Sequence, residues 1–439
     1  MEPKSTLEPE DQNLNVNGID LSESLGSPDQ TSKRSKEPKK PKKGLKYIIK
    51  EHKVAFVVIL LLVAAGVTAL VIFLLNLGKD QAEPAAKQEA EAVHYYSKLS
   101  GEEIASEDLN KLPTFCMQVP NGMDSPRPQT GLAHAPVVFE AIAEAGITRF
   151  AAIFQGIDDS AVGPIRSLRP YYLQWDTPFD CTVVHAGGSD EALADLKSGN
   201  YRDLTENNTY MWRDNGAGYN RPNNLFTSAE LLNKFNSDKG YNSSDVKGFP
   251  RLKPAEAAEK AKANVAAAEP LTEAEKQESA SADSENKTRE VVPLVTNIEV
   301  NFGRVANYNI RYTYNAETNS YARAYANGQA HTTFTCPAGL KNPHPQKDCG
   351  EAAQLAPKVV VAMEVEQSLA RDRYHVDTTT TGTGKAHIFQ NGQVIPATWS
   401  KKDAGSQIEF KDGDGNVISF TPGQMWISAI PTSGGSVKY

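Results

Sequence analysis

The chain has 439 residues, 39% hydrophobic and 8% aromatic, with four cysteines and a formal net charge of −8. This length allows two or three domains, and the composition excludes collagen, a coiled coil and a disulfide-dense miniprotein. Residues 1–53 carry 11 Lys/Arg against 9 Asp/Glu, so residues 54–439 hold a net charge of −10, which argues against a broad nucleic-acid-binding surface.

The first 53 residues are rich in Ser, Pro, Asn, Asp, Glu and Lys and lack apolar periodicity, so they read as a disordered cytoplasmic tail. The tail ends in a cluster from Lys33 and Arg34 to Lys50 and Lys53, where anionic inner-leaflet lipids would attract it. Val54 to Leu75 are 22 residues without a charge. As a helix they are about 33 Å long, enough to cross a hydrocarbon core of about 30 Å. Residues 54–77 are therefore expected to be a single transmembrane signal anchor. The apolar run is too long for a cleaved secretory peptide. With the basic cluster before the span, the positive-inside rule puts the N-terminus in the cytoplasm and the C-terminal bulk outside the cell membrane.

Residues 78–112 form a polar stalk. From 113 to 250 short apolar runs alternate with Gly and Pro. Thr114–Val119 and Asp180–Ala186 read as strands, and Pro136–Ile142 with Arg149–Phe154 as arms of a hairpin around Gly146. The first arm is also open to a helical reading. Ser189 caps a helix through Leu196 that stops at Gly199, and Thr227-Ser228-Ala229-Glu230 is a capping-box pattern opening another. Residues 251–293 are a low-complexity Ala/Glu/Lys/Ser insertion with an exposed helix. Residues 294–439 are nearly all β, with Asn391-Gly392 as a hairpin turn, and Val417–Phe420 counted among the strands.

All four cysteines lie on the outer, disulfide-permissive side. Three pairings exist. Cys336–Cys349, closing a short Pro/Gly-rich loop, and Cys116–Cys181, joining two apolar stretches, are favoured. Zinc is the weaker option, because no C-x-x-C spacing occurs.

Several segments in order resemble the YerB-like family of bacterial envelope lipoproteins, whose extracytoplasmic part has N- and C-terminal halves of unknown function. They are Arg127-Pro128-Gln129-Thr130-Gly131-Leu132, Glu144 to Phe150, Gly163 to Pro170, Val184 to Ser189, Trp212-Arg213-Asp214 and Asn224 to Ser228. In the C-terminal half follow Gly328-Gln329-Ala330-His331, Thr381 to Gly384 and Pro422 to Ile427. The resemblance implies a layered sheet-and-helix sandwich, a bacterial surface location and no established catalytic activity. The chain departs from it in keeping its transmembrane anchor, in reading Pro222-Asn223-Asn224 where the family has Pro-His-Asn, and in its insertion and cysteines. The expected fold class is α+β, a mixed α/β N-terminal half and a mostly β C-terminal half behind one transmembrane helix.

The chemistry of the N-terminal half is its arginine density. Arg166 and Arg169 are three apart, so both guanidiniums can project to one side, and guanidinium forks bind carboxylate or phosphate. With Arg149 and Arg213 they would flank the corner His185, Gly187, Gly188 and Ser189, where backbone N–H groups at a helix start attract an anion. The expected role is binding, without chemistry, of an anionic cell-wall polymer or an envelope protein. In the bland alternative the arginines pair with Glu140, Glu144, Asp176, Asp190 and Asp214 and hold the fold. A hydrolase or transferase acting on phosphate- or carboxylate-bearing glycans is the second reading, with His185 as base and Ser189 as nucleophile. No G-x-S-x-G elbow surrounds that serine. No catalytic residue, metal, cofactor, nucleotide or nucleic-acid partner is assigned. Asp412-Gly413-Asp414-Gly415 reads as a β-turn, because Val417 replaces the glycine a calcium loop needs.

Overall fold

Thr114–Pro120 (β1) alternates Phe115, Met117 and Val119 with Cys116 and Gln118, and every one of its residues is buried, so both faces of the strand need cover. The structure, a computed structural model, describes residues 53–77, 93–216, 218–273, 275–276 and 290–439. The tail expected over 1–53 lies outside them except for its last residue. Lys53–Leu77 is one α-helix of 25 residues (α1), about 37 Å long, with its Val57–Leu74 stretch unburied. It is long and apolar enough to cross a membrane. Residues 1–91 and 92–439 form separate units.

In the second unit, Val137–Glu144 (β2) and Ile147–Gln155 (β3) do form the hairpin, not a helix. Ala145 and Gly146 turn it at φ +50° and +79°, the left-handed pair that lets a two-residue turn follow the strand twist. Cys181–His185 (β4) and Arg202–Thr205 (β5) continue the sheet beside β1. From the C-terminal half come Val359–Val365, Gly382–Gln390 with Gln393–Lys401 around the Asn391-Gly392 turn, Glu409–Lys411, and Met425–Pro431. All join one ten-stranded sheet. Met425–Pro431 sits parallel to β2, Met425 opposite Val137, and on its other side parallel to Val359–Val365. Strands of the two halves are thus continuous in one sheet. Val417–Phe420 makes only isolated bridges, because Phe420 pairs with the irregular segment around Arg251.

Both sheet faces are covered, which is why these strands read as unbroken apolar runs. On one face Phe139, Ile153, Val183 and Ile427 pack with Tyr171, Tyr172 and Trp175 of the helix Pro170–Asp176 (α2), and with Ala192 and Leu196 of Asp190–Ser198 (α3). On the other, Phe115, Phe150 and Trp426 pack with Leu132, Ile165 and with Leu232 and Phe235 of Ala229–Lys239 (α4). Further along that second face, Val360 and Phe389 meet Ile298, Tyr312 and Tyr321 of a four-stranded antiparallel sheet. Ser189 caps α3 by accepting from the Ala192 N–H, and Ser228 caps α4 by accepting from Leu231. Within the insertion, Pro254–Ala268 is a helix burying only Ala257 and Ala261. The folded unit also takes in residues 93–112 of the polar stretch, where Leu99 is buried in the core.

The cysteines are joined as Cys116–Cys181 and Cys336–Cys349, the two pairs the sequence favours. The first closes 65 residues and the second 13. Loop-closure entropy then assigns the first about 4 kcal/mol and the second about 3 kcal/mol. Accordingly, Cys116→Ala/Cys181→Ala should lower the thermal midpoint more than Cys336→Ala/Cys349→Ala, as read by calorimetry of the two double variants.

Glu140 and Arg323 are wholly buried and paired, Arg323 Nη2 to Glu140 Oε2 at 2.7 Å. Thr148 Oγ1 donates to Glu140 Oε1 at 2.9 Å and Trp426 Nε1 to Oε2 at 2.9 Å. Arg323 Nε donates to His331 Nδ1 at 2.8 Å, so the neutral imidazole carries its proton on Nε2, 3.0 Å from Gln129 Oε1. Burial first, then the Arg323 and Arg127 charges, hold the His331 pKa well below the ordinary histidine value. A histidine in the unfolded chain titrates near about pH 6.5. The stability His331 contributes is therefore complete above that pH. It is lost as pH falls below it, by up to about 1.4 kcal/mol per pH unit, because only the unfolded chain takes the proton. Unfolding midpoints measured between about pH 7.5 and about pH 5 should fall, and the fall should be shallower in His331→Gln.

Candidate functional site

Residues 166–169 run beside residues 186–189. Ala186 N donates to Arg166 O at 3.0 Å, Leu168 N to Gly187 O at 2.9 Å and Ser189 N to Leu168 O at 3.3 Å. Gly187 adopts φ +70°, a conformation that favours glycine and turns β4 into α3. This ladder brings Arg166 and Arg169 to the Gly187–Ser189 corner. It also spends the Ser189 N–H, one of the donors expected to face an anion.

Two guanidiniums converge on one carboxylate, and a third stands near it. Arg149 Nη2 lies 2.6 Å from Glu144 Oε1 and Arg169 Nη2 2.6 Å from Glu144 Oε2. Each also donates from Nη1 to a carbonyl at 2.8 Å, Arg149 to Ser167 O and Arg169 to Leu168 O, while among the described residues the buried Nε of each has no partner. Burial raises the Glu144 pKa, but the Arg149 and Arg169 charges outweigh it and hold the carboxyl below its usual range. Arg166 stands beside them, half-buried, and among the described residues it has no ion pair and its buried Nε no partner. Partial desolvation and the neighbouring Arg169 lower its pKa against the pull of Glu144 and Asp124. A cleft of about 470 Å³ adjoins the corner. It is lined by Arg169, Gly188 and Ser189 and by Arg371 and His375, together with the carboxylates of Asp190, Glu191, Asp372 and Asp377.

The other expected members behave differently. Arg213 is held by Glu206, Nε to Oε1 at 2.7 Å, and by Asn224 Oδ1 at 2.8 Å. His185 is 1% exposed, its Nδ1 2.7 Å from Gly187 O and its Nε2 2.9 Å from Asp203. Its nitrogens are therefore both occupied, and the Ser189 hydroxyl oxygen serves the helix cap, which removes the geometry of a base beside a nucleophile. Of the carboxylates in the bland alternative, Glu144 takes Arg149 and Arg169. Glu140 takes Arg323 of the other half, Asp214 takes His344 and Asp176 accepts from Gln118. Among the described residues no group of three or more His, Cys, Asp and Glu side chains is disposed to hold a metal ion. The segment carrying Arg371 to His375, between the paired strands Gln367–Leu369 and Val376–Thr378, is a part of the cleft that no local sequence signal marked.

Residues 99–242 match the N-terminal domain, and residues 298–427 the C-terminal domain, of the family described as "Protein of unknown function (DUF3048)". Over 319 residues the chain is 28% identical to YerB of Bacillus subtilis (strain 168), named as a candidate lipoprotein, covering 71% of this chain and 80% of that protein. The crystal structure of the YerB protein from Bacillus subtilis matches with a TM-score of 0.57 at 23% identity, over 79% of this chain and 100% of that one. This second likeness is one of fold.

The Glu144 cluster separates structural from available arginines. Glu144→Gln strands two buried guanidiniums and should lower stability by about 3–5 kcal/mol. Arg166→Ala removes no ion pair and should change it by less than about 1 kcal/mol. Chemical denaturation of the two variants measures both.

Proposed function

For this chain, which belongs to the DUF3048 family and carries both its N- and C-terminal domains, we propose the role of a membrane-anchored cell-envelope protein that binds an anionic wall component. In this reading α1 is a single-pass anchor with its N-terminus cytoplasmic. The unit from residue 92 onward is extracytoplasmic, where its two disulfides are stable. Helices against both faces of the large sheet, and a second sheet against part of one of them, support an α+β layered sandwich. The binding site is the Arg166 corner and its adjoining cleft.

The observation that carries the reading is Arg166, a half-buried guanidinium left over beside the two arginines that take the Glu144 carboxylate. Its planar fork offers paired N–H donors to a phosphate or carboxylate oxygen pair. Arg149, Arg169 and Arg213 are reinforcement: two brace Glu144 and the third is bound to Glu206. Binding of an envelope protein through the same charge is the variant of this role that a polymer-binding test separates. The hydrolase or transferase reading draws no support from His185, since both its nitrogens are engaged.

The full chain in detergent micelles, titrated with soluble polyglycerol phosphate, should bind in a salt-sensitive way. Arg166→Ala should weaken that binding by about tenfold with an unchanged unfolding midpoint. Salt-independent binding, no binding, or equal binding by Arg166→Ala would overturn the assignment.

A further inference from the structure

We infer a second recognition site where the two family domains meet, a pocket around Arg127 that takes the free carboxylate of a short peptide. Two motifs singled out in the sequence, Arg127–Leu132 and Gly328–His331, come together here. Gln129 and Thr130 pair in parallel with Thr333 and Phe334, and Gln129 Oε1 accepts from His331. The pocket they border encloses about 330 Å³ and is lined chiefly by Met123, Arg127, Asn307, Tyr325, Asn327 and Gln329. Domain junctions with a few convergent polar groups are where small-molecule sites concentrate.

Arg127 is the charged residue of this lining, and among the described residues it has no carboxylate partner. Its guanidinium lies 4.4 Å from the Tyr325 ring centroid and 5.9 Å from that of Tyr308. Nη2 donates to the Asn121 backbone carbonyl and, at 2.9 Å, to Asn121 Oδ1. Asn121 is fixed in turn by donating to Thr148 Oγ1 at 2.8 Å. Stacking and this amide hold the fork in place before any ligand arrives, so little side-chain entropy is lost on binding. The neighbouring cation Arg323 is neutralised by Glu140, which leaves the Arg127 charge as the uncompensated one.

The ligand class follows from the lining. With Nη2 engaged by Asn121 and Nε buried, Nη1 is the charged donor left for a ligand carboxylate, whose second oxygen falls to the rim amides. The exposed amides of Asn307, Asn327 and Gln329 offer both donors and acceptors, as peptide groups require, and Met123 with the Tyr325 ring offers apolar contact. This site is separate from the Arg166 corner, and either can fail without the other.

The full chain in detergent micelles, titrated calorimetrically with N-acetyl-Ala-Ala, should bind the free acid and bind its C-terminal amide at least about tenfold more weakly. Asn327→Asp places a negative charge at the rim. Asn327 is exposed and its Oδ1 accepts only from the Gln329 N–H in its own turn, a role aspartate also fills, so this variant keeps the fold. It should weaken the acid by about tenfold, and Arg127→Lys, keeping charge but not the fork, by a smaller factor. Absence of binding at millimolar acid, equal binding of acid and amide, or unchanged affinity in Asn327→Asp would each overturn the site. Inorganic phosphate competing as strongly as the acid would overturn the carboxylate assignment.

Discussion

The Glu140 carboxylate, with no solvent exposure, is the constraint around which the unit of residues 92–439 is arranged. A buried carboxylate is tolerated only when its oxygens are matched, since desolvation alone costs several kcal/mol. Its donors come from three places far apart in the chain: Thr148 across the hairpin, Arg323 from the four-stranded sheet and Trp426 from the strand beside β2. Satisfying one carboxylate therefore requires the large sheet, the small sheet and the hairpin to be in register together. The Arg323 guanidinium also lies 4.1 Å from the Trp426 ring, so charge and packing reinforce each other. The same network reaches Asn121 through Thr148 and Gln129 through His331, which gives the Arg127 pocket rigid walls.

Glu144, four residues further along the same strand, serves the opposite face. An even spacing would put it beside Glu140, but the pairing of β2 and β3 shifts register between Ile142 and Glu144. A bulge re-aims the side chain that follows it. Glu144 thereby turns toward Arg149 and the start of α2, where Arg169 occupies the N-cap position. One irregular residue pair thus converts a second buried acid from part of the first network into the anchor of another. It also decides which arginines are spent and which, Arg166, is left.

The chain divides its cations accordingly. Arg149, Arg169, Arg202, Arg213 and Arg323 each have an acidic partner, whereas among the described residues Arg166 and Arg127 have none. Buried paired arginines hold the fold, since removing either partner leaves a stranded charge. Unpaired ones in partly open surroundings are where an anionic ligand meets least competition. Arg127 lines its own pocket, whereas the cleft beside the Gly187–Ser189 corner is lined by the paired Arg169 and by Arg371.

Local patterning determined much of this protein. A charge-free run of 22 residues is enough to specify the apolar helix. Ser189 and Ser228 mark helix starts because a side-chain oxygen there satisfies an otherwise orphan N–H. Asn391-Gly392 specifies its hairpin because both residues accept positive φ. The arginine cluster near Glu144 was legible too, since Arg166 and Arg169 neighbour each other in sequence and Glu144 lies in the same motif series. Only the tertiary structure decided that Met425–Pro431 lies between the strands at 137 and 359, that a bulge reverses Glu144, and that Arg127 faces Tyr325 and not an acid. The reason is physical: caps, turns and membrane spans depend on contacts within a few residues. Strand neighbours and the pairing of buried charges depend instead on contacts across hundreds of residues, and no local spacing encodes those.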